Sequence, residues 1–195
     1  MSSVLHTKKY FDGEFIVYDD KPAEQLIQCH QIHSNTVIEF KGNDLTEIKA
    51  DGIIIDPGLY PNHLVAIKTA DCLPVLLIGR KIALVHSGWK GLENSILSNE
   101  KIKTLEISEI YIGPAIQTYE VQEEFRKNFP NSKNFLTSKG RLFFNLQKEA
   151  MDQLKTTYPN AKILCSDICT FKNNHYNSYR RDKTKIRNWN VFKIN

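Results

Sequence analysis

One thiol and two imidazoles stand out as side chains that could do chemistry. Cys72 lies just before an apolar run, residues 73–78, and His86 closes a second one that begins at residue 82. Gly79, Arg80 and Lys81 separate the runs, which therefore read as two strands joined by a tight turn. Antiparallel pairing would bring the thiol and the imidazole to the same end of one sheet. With His33 they offer one soft sulfur and two imidazole nitrogens, a donor set suited to zinc or copper, with a fourth position open if the site is catalytic. Taken singly, each residue has an ordinary explanation: a lone cysteine is more often a small core residue, and a lone histidine more often a hydrogen-bonded structural one. His30 and His33 are three apart, so a helix would place them on one face and a strand on opposite faces. One of the two is expected to reach a metal. The stretch from Ser87 to Gly91 reads as a glycine-punctuated turn opening a short helix, where free backbone N–H groups suit an anion.

The elements that must position these residues follow from local pattern. Residues 10–11 and 15–18, split by Asp12 and Gly13, predict an initial hairpin. Residues 53–55 read as a buried strand inside ADGIIIDPG, where Asp51 and Asp56 are expected as turn and cap residues rather than cation ligands. A strand over 64–67 leaves His63 structural or exposed. An amphipathic helix is predicted over 91–103, then a strand within 105–112 that breaks at Gly113 and Pro114. Val121, Phe125 and Phe129 make a helical stripe, and residues 130–139 read as surface loop. A strand at 142–144, a helix over 145–158 and a strand over 163–167 complete the pattern. Cys165 and Cys169 are expected to serve packing and loop structure, and disorder is expected only at the ends.

A chain of 195 residues is long enough for one sizeable core, so one domain spanning 1–195 is the expectation. No apolar segment is long enough to cross a bilayer, and the first ten residues lack the apolar core of a secretory signal, which points to the cytoplasm and away from membranes. Four cysteines in a chain this large are expected to be free thiols. The net charge of +4 is concentrated at Lys172 and residues 180–187. That suits an anionic small molecule better than nucleic acid, since no zinc-finger spacing, RNA-binding aromatic motif or long basic arm is present.

HQIHS around His33, ADCLPVLL around Cys72, VHSGWKG around His86, IGPAI with YEV, and SDICT with NSYRRD are ordered along the chain. Together they resemble the multicopper polyphenol oxidase, or laccase-domain, family also called YfiH, from about residue 28 to residue 181. The resemblance implies an α+β fold in which mixed β-sheets pack as a sandwich with helices on the outer faces. It implies His33, Cys72 and His86 as metal ligands, with zinc as the leading occupant and copper as the alternative. The activity it implies is phosphate-dependent cleavage of a purine nucleoside (adenosine, inosine, guanosine or methylthioadenosine), with adenosine deamination at the same site. Copper-dependent polyphenol oxidation and a nonenzymatic binding module are the alternatives. On the implied reading, purine nucleoside and phosphate are the partners, Arg180 or Arg181 orients the phosphate, and Asp71 orients a ligand histidine or relays a proton. Asp167 shares the ambiguity of Asp71, and Tyr179 would stack a purine or close the core. The oligomeric state is not fixed by the resemblance. Ala115 stands where the family commonly has Cys and Asn145 where Asp is common; the tail after NSYRRD lacks the usual Gly-Arg pair, and the start is shorter than in relatives.

Overall fold

Several strands of this chain are apolar on both faces, and two apolar faces need two covers. The computed structural model describes residues 2–195. Its strands are β1 (Val4–Tyr10), β2 (Gly13–Tyr18), β3 (Val37–Glu39), β4 (Gly52–Ile55), β5 (Leu64–Thr69), β6 (Leu73–Ile78) and β7 (Ile82–Ser87). Helices α1 (Trp89–Glu93) and α2 (Glu100–Lys103) come next, then β8 (Glu109–Ile112), β9 (Thr118–Val121), β10 (Phe135–Ser138) and β11 (Arg141–Asn145). The chain ends with α3 (Leu146–Thr157), β12 (Lys162–Cys165), α4 (Tyr179–Asp182) and β13 (Asn188–Ile194).

A six-stranded mixed sheet, ordered β12-β8-β6-β7-β4-β3, forms the middle layer. Its central strands β6 and β7 are buried along their whole length, which is why they read as continuous apolar runs. Strand alternation divides their side chains between two cores. Leu76, Ile78, Ile82 and Leu84 meet Phe15, Val17, Ile67 and Phe192 from a four-stranded antiparallel sheet, ordered β1-β2-β13-β5. Val75, Leu77, Ala83 and Val85 face the other way, onto Leu92, Ile96, Ile102, Ala150 and Leu154 from the helical layer. The expected packing of mixed sheets with helices outside is what forms, and a three-stranded sheet, β10-β11-β9, flanks the helical side. No helix among the described residues is long and apolar enough to cross a membrane.

The β6–β7 hairpin forms in the predicted register, with Leu76 opposite Leu84 and Pro74 opposite His86. Three elements differ from expectation. The helix predicted over 91–103 is split, because Ser95 takes a left-handed conformation (φ 60°) and Asn99 caps a new turn by accepting from the Lys101 backbone N–H. The stripe of Val121, Phe125 and Phe129 belongs to a strand followed by a 3-10 turn over Glu123–Asn128, and its aromatic members pack on Phe144. Part of the predicted loop 130–139 is β10, paired with β11. The initial hairpin forms as β1 and β2. At the other end β13, outside the predicted elements, lies between β2 and β5 with Phe192 wholly buried.

Candidate metal centre

Asp51 precedes β4, and the pairing of Gly52 with Val85 sets it opposite His86 on β7. The backbone N–H of His86 donates to the Asp51 carbonyl (2.7 Å), and the imidazole Nδ1–H donates to the carboxylate (2.8 Å). That second bond fixes the tautomer and leaves Nε2 for a metal. The same carboxylate accepts from the backbone N–H groups of Ile32 (3.3 Å), His33 (3.0 Å) and Ser34 (2.6 Å) and from the Ser34 hydroxyl (2.8 Å). One fully buried carboxylate thus orients His86 and folds the loop that carries His33. Burial would raise its pKa, but the bonds from His86 and Ser34 outweigh that and hold it down at about 2. His33 itself has φ 60°, a strained conformation for a residue with a Cβ, and Asp71, beside Cys72, has φ 90°.

Cys72 lies just before β6, and continuing the β6–β7 register places it opposite Gly88. A Cβ at Gly88 would lie 2.9 Å from the Cys72 sulfur and 3.4 Å from His33 Cδ2, so only glycine lets thiol and imidazole meet across it. His33 Nε2 stands 4.0 Å from the sulfur, and the His33 and His86 rings are nearly perpendicular, with centroids 4.7 Å apart. One donor atom from each of His33, Cys72 and His86 lies within 4.8 Å of the other two. Bonds of about 2.0 Å to nitrogen and 2.3 Å to sulfur would put bound donors about 3.5 Å apart, so a small inward rotation of the side chains closes the set. Burial alone would raise the Cys72 pKa, but the His86 charge and the His33 hydrogen bond bring it down to about 6. Burial likewise disfavours the His86 cation, yet the Cys72 thiolate and the Asp51 hydrogen bond raise its pKa to about 9. The geometry and the donor chemistry both fit a transition metal held as a thiolate–imidazole set.

The other residues singled out from sequence lie around this cluster in different roles. Asp71 directs its carboxylate to the Thr170 hydroxyl (2.8 Å), the Ser178 hydroxyl (3.0 Å) and the Arg180 backbone N–H (2.7 Å). The carboxylate that orients a histidine of the cluster is therefore Asp51, whose setting in ADGIIIDPG reads as a turn residue. Arg181 donates to the carbonyls of Thr170 and Tyr176 (both 2.7 Å) and pairs with Asp182, so it ties the C-terminal loops together. Arg180 lays its guanidinium over the Tyr119 ring, 5.1 Å from the centroid, and donates to the Glu120 carbonyl. Tyr179 is half exposed, and the Asp167 carbonyl accepts from Gln117. His30 bridges to Lys49 at the surface, outside the cluster. Ala115 is buried in a bridge with Cys169, and Asn145 caps α3 by accepting from the Lys148 N–H, a role that Asp would fill equally well. The five-residue helix after Gly88 is too short for the anion-binding terminus expected there.

Fold and cluster together define a metal-binding α+β protein of layered mixed sheets. The chain belongs to the multi-copper polyphenol oxidoreductase laccase family, whose model matches residues 17–193. A purine nucleoside phosphorylase of Aquifex aeolicus is 33% identical over 84% of this chain and 80% of its own length. One from Clostridium acetobutylicum is 35% identical over 78% and 69%. The crystal structure of the Bacillus licheniformis hypothetical protein YfiH superposes with a TM-score of 0.76 at 25% identity, covering 87% of this chain and 74% of that one. A Neisseria meningitidis protein at 23% identity gives 0.79 over 98% and 99%, which bears on the fold alone.

These findings correct the functional expectation. The His–Cys–His triad and the laccase-family match fit a copper-binding oxidase better than a zinc-dependent purine nucleoside phosphorylase with deaminase activity. A soft thiolate beside two imidazoles is a donor set used for copper, and divalent copper is bound more tightly than zinc by a given set of this kind. The phosphorylase name belongs to the relatives that carry it.

Proposed function

We propose that this protein is a copper-binding oxidase of phenolic substrates, working at His33, Cys72 and His86. The observation that supports it most is the triad itself, with Cys72 beside two imidazoles and no fourth His, Cys, Asp or Glu in the group among the described residues. Copper bound there would supply a one-electron acceptor next to a phenol. The chain's own part is to present the donors. Asp51 holds the His86 tautomer, its bonds to residues 32–34 hold His33 in a strained backbone, and Gly88 leaves the sulfur room. A catechol would give up two electrons and two protons to become the quinone, and one dioxygen would take both pairs to form hydrogen peroxide.

The test is to strip the protein of metal and reload it with copper or with zinc. The copper form is expected to show thiolate-to-copper charge-transfer absorption and to consume dioxygen with catechol, and Cys72→Ser is expected to lose both. A copper form inert toward phenols, alongside a zinc form that releases base from a nucleoside only when phosphate is present, would overturn the proposal.

A further inference from the structure

A groove of about 710 Å³ opens beside the metal centre, with Trp89, Tyr119, Phe125 and Arg180 among its walls. Three tethers put it next to the triad. Trp89 follows Gly88, the residue against the Cys72 sulfur. The backbone N–H of Arg180 is bound by Asp71, the residue before Cys72. The Ile116 N–H, three residues before Tyr119, donates to the Asp71 carbonyl (2.9 Å). The wall is aromatic, with Trp89 and Phe125 in edge contact at 5.3 Å and Tyr119 and Phe125 at 6.3 Å. Flat rings prefer such walls, where stacked and edge contacts add to simple burial.

The groove also has a charge bias. Arg180, Lys127 and Lys183 line it against Glu120 and Glu124, and Glu120 is already paired with Arg141 (3.2 Å). Arg181 commits its guanidinium to loop carbonyls, whereas among the described residues Arg180 makes one side-chain hydrogen bond, to the Glu120 carbonyl. Its planar fork keeps donors for a second acceptor. The Tyr119 hydroxyl is buried and has no hydrogen-bond partner among the described residues, an arrangement that structural packing rarely leaves. Burial, and after it the Cys72 charge, raise its pKa against the opposing pull of Arg180.

We infer that this groove takes a planar aromatic acid, with the ring against Trp89, Tyr119 and Phe125 and the carboxylate on Arg180. The inference rests on the oxidase reading only for the claim that such a molecule is a substrate; binding stands apart from it. The ring supplies the contact area and the guanidinium supplies direction, since charge-assisted bonds to a planar fork are the stronger and more directional kind. Arg180 is then a specificity residue for anionic phenols.

Binding of 4-hydroxycinnamate to the metal-free, full-length protein tests this by tryptophan fluorescence, with its methyl ester as the uncharged probe. The acid is expected to bind more tightly than the ester, and Arg180→Gln is expected to weaken the acid about tenfold while leaving the ester unchanged. Arg180→Lys is expected to recover part of the loss. A Tyr119→Phe variant, which keeps the ring, provides a second reading where Arg180→Gln melts early: it is expected to keep the preference for acid over ester. Equal binding of acid and ester by the wild-type protein, or an Arg180→Gln variant that is folded and binds the acid normally, would overturn the inference. Copper-dependent oxidation is measured separately on the same probe, so failure of turnover with binding intact counts against the oxidase and not against the groove.

Discussion

Two buried aspartates each stand just ahead of a strand, and they do different work. Asp51, before β4, accepts from His86, from three successive backbone N–H groups and from a hydroxyl, so it builds the metal centre from inside. Asp71 lies two residues before β6 and next to the ligand Cys72, yet its carboxylate reaches across to Thr170, Ser178 and Arg180 and pins the C-terminal segment. Sequence adjacency to a ligand placed one carboxylate beside the metal only along the chain. Strand pairing placed the other beside it in space. Removing Asp51 is therefore expected to damage metal binding and folding together, and removing Asp71 mainly folding.

The largest effect is expected from Asp51→Ala. It leaves the His86 imidazole and four loop donors without an acceptor, and breaking a buried pair of this kind costs about 3–5 kcal/mol. Thermal unfolding and copper titration should fail together. Asp51→Asn keeps an acceptor for the loop but gives His86 a neutral partner, and is expected to lose about 10- to 100-fold in copper affinity while remaining folded. Full copper affinity in Asp51→Asn would show that the carboxylate charge does not matter to His86.

A middle-sized effect is expected from Asp71→Ala. Two hydroxyls and one backbone N–H lose their acceptor, for a cost of about 2 kcal/mol in denaturant unfolding, with copper stoichiometry retained. Loss of copper at unchanged stability would reverse the roles assigned to the two aspartates.

The pH response of the metal-free protein sharpens the Asp51 side of the comparison. The folded-state pKa of Asp51 is depressed to about 2, so its contribution to stability is present above the unfolded value of about 3.9 and is lost as pH falls through 2. The pKa of His86 is raised to about 9, so its contribution is complete below about 6.5 and is lost as pH rises through 9. Cys72, lowered to about 6 as the partner of His86, gains its contribution over the same window and offsets that loss. Urea midpoints should therefore fall chiefly at the acid end, and Asp51→Asn should flatten that fall.

The smallest expected effect is chemical rather than structural. Cys72, with its pKa lowered to about 6, should react with iodoacetamide near neutral pH. Cys29 is buried, and burial pushes its thiol up to about 12, so it should stay unlabelled until the protein unfolds. Peptide mass spectrometry resolves the two, and bound copper should protect Cys72.

What the sequence disclosed follows the range of the interactions. The β6–β7 hairpin and α3 were legible because their patterns are local: continuous apolar runs around Gly79–Lys81, and a four-residue rhythm through Leu146, Ala150 and Leu154. The three motifs that converge in the cluster were legible through the family resemblance, since each is a short contiguous stretch near a turn or strand end. Asp51 was not, because its partners meet only in space: His86 through the β4–β7 pairing, and residues 32–34 through the loop that enters β3, which pairs with β4. The spacing of Val121, Phe125 and Phe129 fits a helix, and a strand running into a 3-10 turn reproduces it. The final strand was missed because its polar members, Asn188 and Asn190, are buried by bonds to Asn177 and Thr69 that no local pattern announces.

X-ray absorption on the copper-loaded protein tests the metal centre most directly. One sulfur and two imidazole nitrogens are expected around copper in the wild-type protein, and a shell without sulfur in Cys72→Ala. A wild-type shell made only of nitrogen and oxygen, or a Cys72→Ala shell that still contains sulfur, would contradict that ligand set.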